Sequence, residues 1–208
     1  MLSACGASKP SQATAPSSTS PAASPTAASP TAASPTAASP TVGSSPAAST
    51  RIGPYTQIFA TPLPANLAQA KVIQGFEMAE ILWAKSDYAW RPVPPVTEYV
   101  TGQALKNLMS ATSALKANDV VPAGTDRLFM TSVTALTSTT ATVTTCDDGS
   151  KYAAENPVTG KINPAYSPSA NQANLFETWH MVLLSGRWAI SSFTLATLPS
   201  ASAQHCQP

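Results

Sequence analysis

Past residue 64 the apolar positions fall first at helical spacing and then at strand spacing. Val72, Ile73, Phe76, Ala79, Leu82, Trp83 and Trp90 make one stripe of period near 3.6, with Glu77, Glu80 and Lys85 mostly off it. Asn66, followed three positions later by Gln69, is a capping-box-like start for this helix. Pro92, Pro94 and Pro95 end it, because proline lacks the N–H and clashes with the preceding turn. Gly75 within it weakens the helix by about 1 kcal/mol relative to alanine. A second helix is predicted from Leu105, Leu108, Met109, Thr112 and Leu115, stopping at Asn118-Asp119 and Pro122.

After Pro122 the period becomes two. Positions 127–137 and 139–146 alternate and are rich in Thr and Val, which predicts two strands joined by a turn at 137–140. Asp147-Asp148-Gly149 has turn chemistry and should end the second strand. Positions 150–171, with three Pro, three Asn and Gly160, read as a long loop or short irregular hairpin. Two more strands, 173–184 and 187–196, flank Ser185-Gly186, a two-residue hairpin signal. Phe176, Thr178, His180, Val182 and Leu184 share one face of the first of these, and Leu175, Glu177, Trp179, Met181 and Leu183 the other. Both faces are therefore at least partly covered. Helices followed by a meander of about four antiparallel strands predict an α+β domain.

Composition divides the chain of 208 residues near residue 54. Positions 6–53 are almost wholly Ala, Ser, Pro and Thr, with only Lys9 and Arg51 charged. Ser-Pro-Thr-Ala-Ala repeats run from Ser24 to Ala38. Without large side chains such a segment cannot offset the entropy of ordering, so it reads as a disordered, semi-rigid linker. Every aromatic residue lies at or beyond Tyr55, so 54–208 should hold one globular domain. A net charge of +1 and scattered basic residues exclude the clustered Lys and Arg of a nucleic-acid binder.

The opening Leu2-Ser3-Ala4-Cys5 resembles the lipobox of bacterial lipoproteins. The resemblance implies that Cys5 is acylated, that residues 1–5 are a lipobox remnant, and that the chain is tethered to the outer face of the cell membrane. The charged and apolar leader that such proteins carry does not precede it here, so this reading expects the true start upstream of Met1. The other reading is a cytoplasmic protein with a disordered tail and a lone thiol. Export would leave Cys146 and Cys206 as a pair, and a bridge between them would pin the C-terminal tail. A loop of that length gives at most about 4 kcal/mol in the chain-entropy model.

The order helix, helix, strands, together with Trp179-His180-Met181-Val182 and Ser185-Gly186-Arg187-Trp188-Ala189-Ile190, is similar to the nuclear transport factor 2-like superfamily. That superfamily includes ketosteroid isomerases and SnoaL-type cyclases. The resemblance spans roughly 60–197 and implies a cone of helices on a curved sheet. It hosts enzymes and binding modules alike, so function has to be argued from the site.

In the enzymes of that superfamily a carboxylate or histidine in the pocket moves a proton beside a carbonyl. The nearest material here is Asp87 as base, Tyr88 as oxyanion donor and His180 as acid or base. Plainer readings outweigh these. Asp87 is a solvated residue near a helix end, Tyr88 packs the helix onto the sheet, and His180 is a core or dimer-face histidine. Asp147, Asp148 and Glu155 do not have the spacing of a calcium loop. No phosphate-binding loop, HExxH, GxSxG or CxxC is present, and no metal or cofactor is expected. The expectation is a surface-anchored binding module for a small apolar ligand or an envelope protein, able to dimerise through its sheet. The alternatives are an isomerase- or cyclase-type enzyme and an accessory subunit of an envelope transport or secretion system.

Overall fold

The computed structural model describes residues 48–169, 173–197 and 199–206. Cys5, the repeats and most of the segment read as linker lie outside the described residues.

Helix α1 (Leu67–Ala89) starts where predicted. The Asn66 side chain accepts from the backbone N–H of Ala68 (2.9 Å) and of Gln69 (3.2 Å), a cap worth about 1 kcal/mol. It ends at Trp90, which takes the left-handed conformation at φ 56° and donates its indole N–H to the Val120 carbonyl at 2.6 Å. A short helix, α2 (Val96–Tyr99), and a longer one, α3 (Gly102–Ala117), follow. Gly75 has a packing reason. A Cβ there would lie 2.6 Å from the Trp188 Cβ, so its absence lets α1 settle directly on the sheet.

The sheet has six strands, not four, in the order β1-β2-β3-β4-β5-β6. Two short strands precede the helices: β1 (Ala48–Ile52) and β2 (Tyr55–Phe59). β1 occupies the last positions of the segment read as linker. β2 pairs with β3 (Val121–Leu136) in parallel, with α1 to α3 as the crossover, so the sheet is not purely antiparallel. The remaining ladder is an antiparallel meander of β3, β4 (Thr140–Glu155), β5 (Asn174–Leu184) and β6 (Arg187–Thr197). The β5–β6 turn is as predicted: Ser185 and Gly186 both have positive φ, the pair that a two-residue hairpin of matching twist requires.

Asp147-Asp148-Gly149 does not end β4. The register with β3 shifts between Thr125 and Arg127, opposite Gly149 and Ser150, so the turn chemistry is absorbed as a β-bulge and the strand runs on to Glu155. The long loop is correspondingly shorter, starting at 156. Beyond β6, the one-turn helix α4 (Ala201–Gln204) carries Ala203 and Cys206 into burial. Cys206 is bridged to Cys146, with Cα atoms 5.2 Å apart across 60 residues, as the cysteine arithmetic predicted. No helix among the described residues is long and apolar enough to cross a membrane.

The core lies between α1, α3 and the inward face of the long strands. Phe76, Leu108, Leu128, Met181 and Ile190 are fully buried there. Each contributes roughly 1.5–3 kcal/mol of burial free energy.

Candidate functional site

The inward face of α1 changes character along its length. Val72, Phe76 and Ala79 are apolar and buried. One turn further, Glu80, Trp83, Ala84 and Asp87 follow at i, i+3, i+4 and i+7, and all four line a cavity of about 220 Å³ against the sheet. Glu80 is therefore not off the buried stripe. It continues that stripe in polar form.

The sheet answers with inward positions of five strands. β2 supplies Tyr55 and Gln57, β3 supplies Asp126, and β4 supplies Asp147 and Tyr152. β5 supplies Glu177 and Trp179, which pair across the ladder with Thr145 and Val143. β6 supplies Phe193 and Leu195. The β4 bulge sits beside Asp126, so it aims two carboxyls of neighbouring strands at one space. Asp126, Asp147, Tyr152 and Leu195 also line a wider cavity of about 450 Å³, walled further by Tyr166, Pro168 and Leu175, and the two spaces meet at these four residues.

Few partners are available inside. Tyr55 donates its hydroxyl to Asp126 Oδ2 at 3.1 Å, Gln57 Nε2 donates to Glu80 Oε2 at 3.4 Å, and the Trp179 indole donates to Glu177 Oε2 at 3.0 Å. Gln57 Oε1, Glu80 Oε1, Asp87 Oδ1, Asp126 Oδ1 and Asp147 Oδ1 are all closed off from solvent and find no partner in the chain. Asp87 as a residue is only partly buried, but that oxygen is not exposed. No Lys, Arg or His is among the described residues lining either cavity.

Carboxyls in such a place resist ionisation. Burial pushes Asp87 up to about 7, against a hydrogen bond from Trp83. Burial pushes Glu177 up to about 8, opposed by the Trp179 hydrogen bond and reinforced by the charge of Asp126. Glu80 is held well above its ordinary value by burial and then by the charges of Glu177 and Asp126. Asp147 is raised by burial and by the hydrogen bond it shares with Asp126. The hydroxyls of Tyr55 and Tyr152 are raised as well, by burial first. Aromatic rings close the remaining walls. Trp179 and Phe193 are 4.5 Å apart at their centroids, Trp83 packs edge-on to Phe193 at 5.7 Å, and Tyr55 meets Tyr152 edge-on at 6.0 Å.

Of the residues singled out in the sequence, Asp87 is in this site. Tyr88 is not: it points out of the cavity, is 40% exposed, and its ring lies over Gly53 where a Cβ would be. His180 is exposed on the opposite face of β5, paired with Thr142, and Ser191 Oγ donates to its backbone carbonyl at 3.0 Å. The three do not come together, so no Asp87–His180 dyad exists. Asp148 caps a local turn through the Ser150 N–H (3.1 Å), and neither it nor Glu155 lines the cavity. No group of three or more His, Cys, Asp or Glu among the described residues is placed to hold a metal ion. Sequence reasoning missed Glu80, Asp126, Asp147 and Glu177 as a group. One signal was present: Glu177 falls between Leu175 and Trp179 on the face that also carries Met181, an acid at an inward register position.

No protein-family profile and no curated protein matches the chain. Among solved structures, it is similar to a ketosteroid isomerase-like protein from Erwinia carotovora atroseptica at 16% identity and TM-score 0.38, over 65% of this chain and 99% of that one. It is similar to a nuclear transport factor 2-like protein with a cystatin-like fold from Novosphingobium aromaticivorans at 13% identity and TM-score 0.39, over 66% and 89%. Aln2 from a Streptomyces species matches at 13% identity and TM-score 0.42, over 65% and 93%. Likeness at this level carries no argument about activity; the α+β assignment stands on the element order and sheet topology.

Proposed function

We propose that this domain is a binding module for a small molecule, of nuclear transport factor 2-like type, held at the outer face of a cell membrane. The ligand enters the wider cavity and lodges in the acid-floored space between α1 and the sheet. The observation that carries the reading is Gln57, which lines this cavity: it is 2% exposed, and its Oε1 finds no partner in the chain. An unsatisfied buried polar atom costs about 1–3 kcal/mol, a cost that a bound molecule recovers. The acid lining replaces the apolar ligand expected from sequence with one that has a polar end. The Cys146–Cys206 bridge supports an extracytoplasmic setting, and Leu2-Ser3-Ala4-Cys5 supports the tether.

Trp83 and Trp179 line the cavity, so ligands are found by screening a small-molecule library for quenching or shift of tryptophan fluorescence. Leu195 is half exposed where the two cavities meet. Leu195→Trp fills that junction without touching the core, and genuine ligands lose binding to it. If every compound that binds does so equally well to the plugged variant, the cavity is not the site.

A second reading has its own observation. Asp87 and Glu177 titrate near neutrality, where proton transfer is most effective, so an isomerase- or cyclase-type enzyme would use them in place of Asp87 and His180. Its mark is an activity abolished by Asp87→Asn while ligand affinity is kept.

A further inference from the structure

Resting on the binding reading above, we propose that the ligand is an organic ammonium compound with at least one N–H, its charge seated among Glu80, Asp87 and Glu177 and its hydrocarbon body against Trp83, Trp179 and Phe193. Three independent features of the cavity lead there. The first is sign: five carboxyls face the space, and no cationic side chain lines it among the described residues. Neighbouring carboxyls without a counter-charge are costly, and none of the described Lys, Arg or His side chains lines the space to neutralise them. The second is hydrogen-bond polarity. The unpartnered buried atoms of Gln57, Glu80, Asp87, Asp126 and Asp147 are all oxygens, and Gln57 already spends an amide N–H on Glu80. An amide carbonyl accepts whatever the state of the acids, so the cavity asks for N–H donors, which a quaternary ammonium lacks. The third is the wall. Three aromatic rings in mutual contact form an apolar wall for the substituent, and an aromatic π face attracts a cation.

The same geometry disfavours a metal ion. The acids are spread over α1, β3, β4 and β5 around the cavity, and no three of them converge as ligands. A metal ion needs several oxygens converging at about 2.3–2.6 Å, whereas an ammonium hydrogen-bonds to acceptors at about 2.7–3.2 Å.

Seating an ammonium ion beside these acids favours their ionised form. The groups facing the charge are Glu80 and Asp87 from α1, Tyr55 from β2, Asp126 from β3, Asp147 and Tyr152 from β4, and Glu177 from β5. Binding near neutral pH therefore transfers a proton from a carboxyl to the buffer, and the ammonium–carboxylate pair takes its place. A neutral ligand in the same cavity releases none.

Isothermal titration of the full chain with 2-phenylethylamine, 2-phenylethanol and calcium chloride, in two buffers of different ionisation enthalpy, separates the possibilities. The expected result is that the amine binds at least about tenfold more tightly than the alcohol, a difference of about 1.4 kcal/mol, with proton release for the amine alone. Glu80→Gln and Glu177→Gln should each weaken the amine about tenfold or more and the alcohol by much less, while thermal unfolding shows both variants folded. Equal affinity for amine and alcohol, with both blocked by Leu195→Trp, overturns the cation assignment and leaves the binding reading standing. Calcium that binds in competition with the amine also overturns it, in favour of a metal site. If neither organic probe binds, or if Leu195→Trp changes neither affinity, the cation assignment and the cavity reading fall together.

Discussion

The two ends of the space beneath α1 are built from the same elements and obey opposite rules. Around Phe76, α1 meets Leu108, Leu128 and Ile190, and the contact is apolar and fully buried. One turn along, the same helix and strands enclose Glu80, Asp87, Asp126, Asp147 and Glu177 around an unfilled space. The first end stabilises the fold by removing hydrocarbon from water. The second works against it, because burial keeps Glu80, Asp87, Asp147 and Glu177 from their preferred charged state. A chain that tolerates such a region has invested stability from one end in a site at the other.

That contrast can be broken most strongly at the apolar end. Phe76→Ala leaves a cavity where the helix meets the sheet, and unfolding in urea should show a loss of about 3–5 kcal/mol. The acidic end is addressed by pH. Folded-state values for Asp87 and Glu177 of about 7 and about 8 lie above those of the unfolded chain, so the folded state holds extra protons between about pH 4 and pH 8. The stability held by these protons should be fully present below about pH 4 and be lost as pH rises through this window, by several kcal/mol for the two groups together, at about 1.4 kcal/mol per pKa unit. A flat profile would show the acids to be solvated, and one that rises with pH would show them to be paired as carboxylates. Glu177→Gln sharpens the point. Its amide oxygen can still accept from the Trp179 indole, so only the ionisable group is lost. Denaturation at pH 8 should show a gain of about 1–3 kcal/mol that vanishes by about pH 4. The smallest effect belongs to the surface. Arg187 pairs with Glu98 at 2.7 Å, both side chains about half exposed. Removing it with Arg187→Ala should cost less than about 1 kcal/mol, and less again in high salt.

What could be read in the sequence follows from how local each signal is. Helix α1 announced itself through Asn66 and its stripe, and the β5–β6 hairpin through alternation around Ser185-Gly186, because these depend on residues within a few positions of one another. Strands β1 and β2 are five residues each, and β2 is held by a parallel ladder to residues more than sixty positions away, which no local pattern records. Asp147-Asp148-Gly149 misled for a related reason: bulges and turns favour the same residue types, and only the partner strand decides between them. The site was the least legible part. Its five acids come from four elements, two from α1 and one each from three strands, and each alone is an ordinary polar residue. Glu80 and Glu177 were visible only as charges at inward positions, and His180, the more conspicuous candidate, was on the wrong face of its strand.

The wide separation of those contributors bears on when the site comes into being. The Tyr55–Asp126 hydrogen bond joins residues 71 apart, and the walls run from Tyr55 on β2 to Leu195 on β6, nearly the whole described chain. Contacts so distant in sequence form late and slowly compared with helices and hairpins. A chain cut anywhere before β6 therefore has no cavity to offer, whatever secondary structure it has gained. Occupancy of this cavity is, in effect, a report that β6 has been added and the sheet is closed over the site.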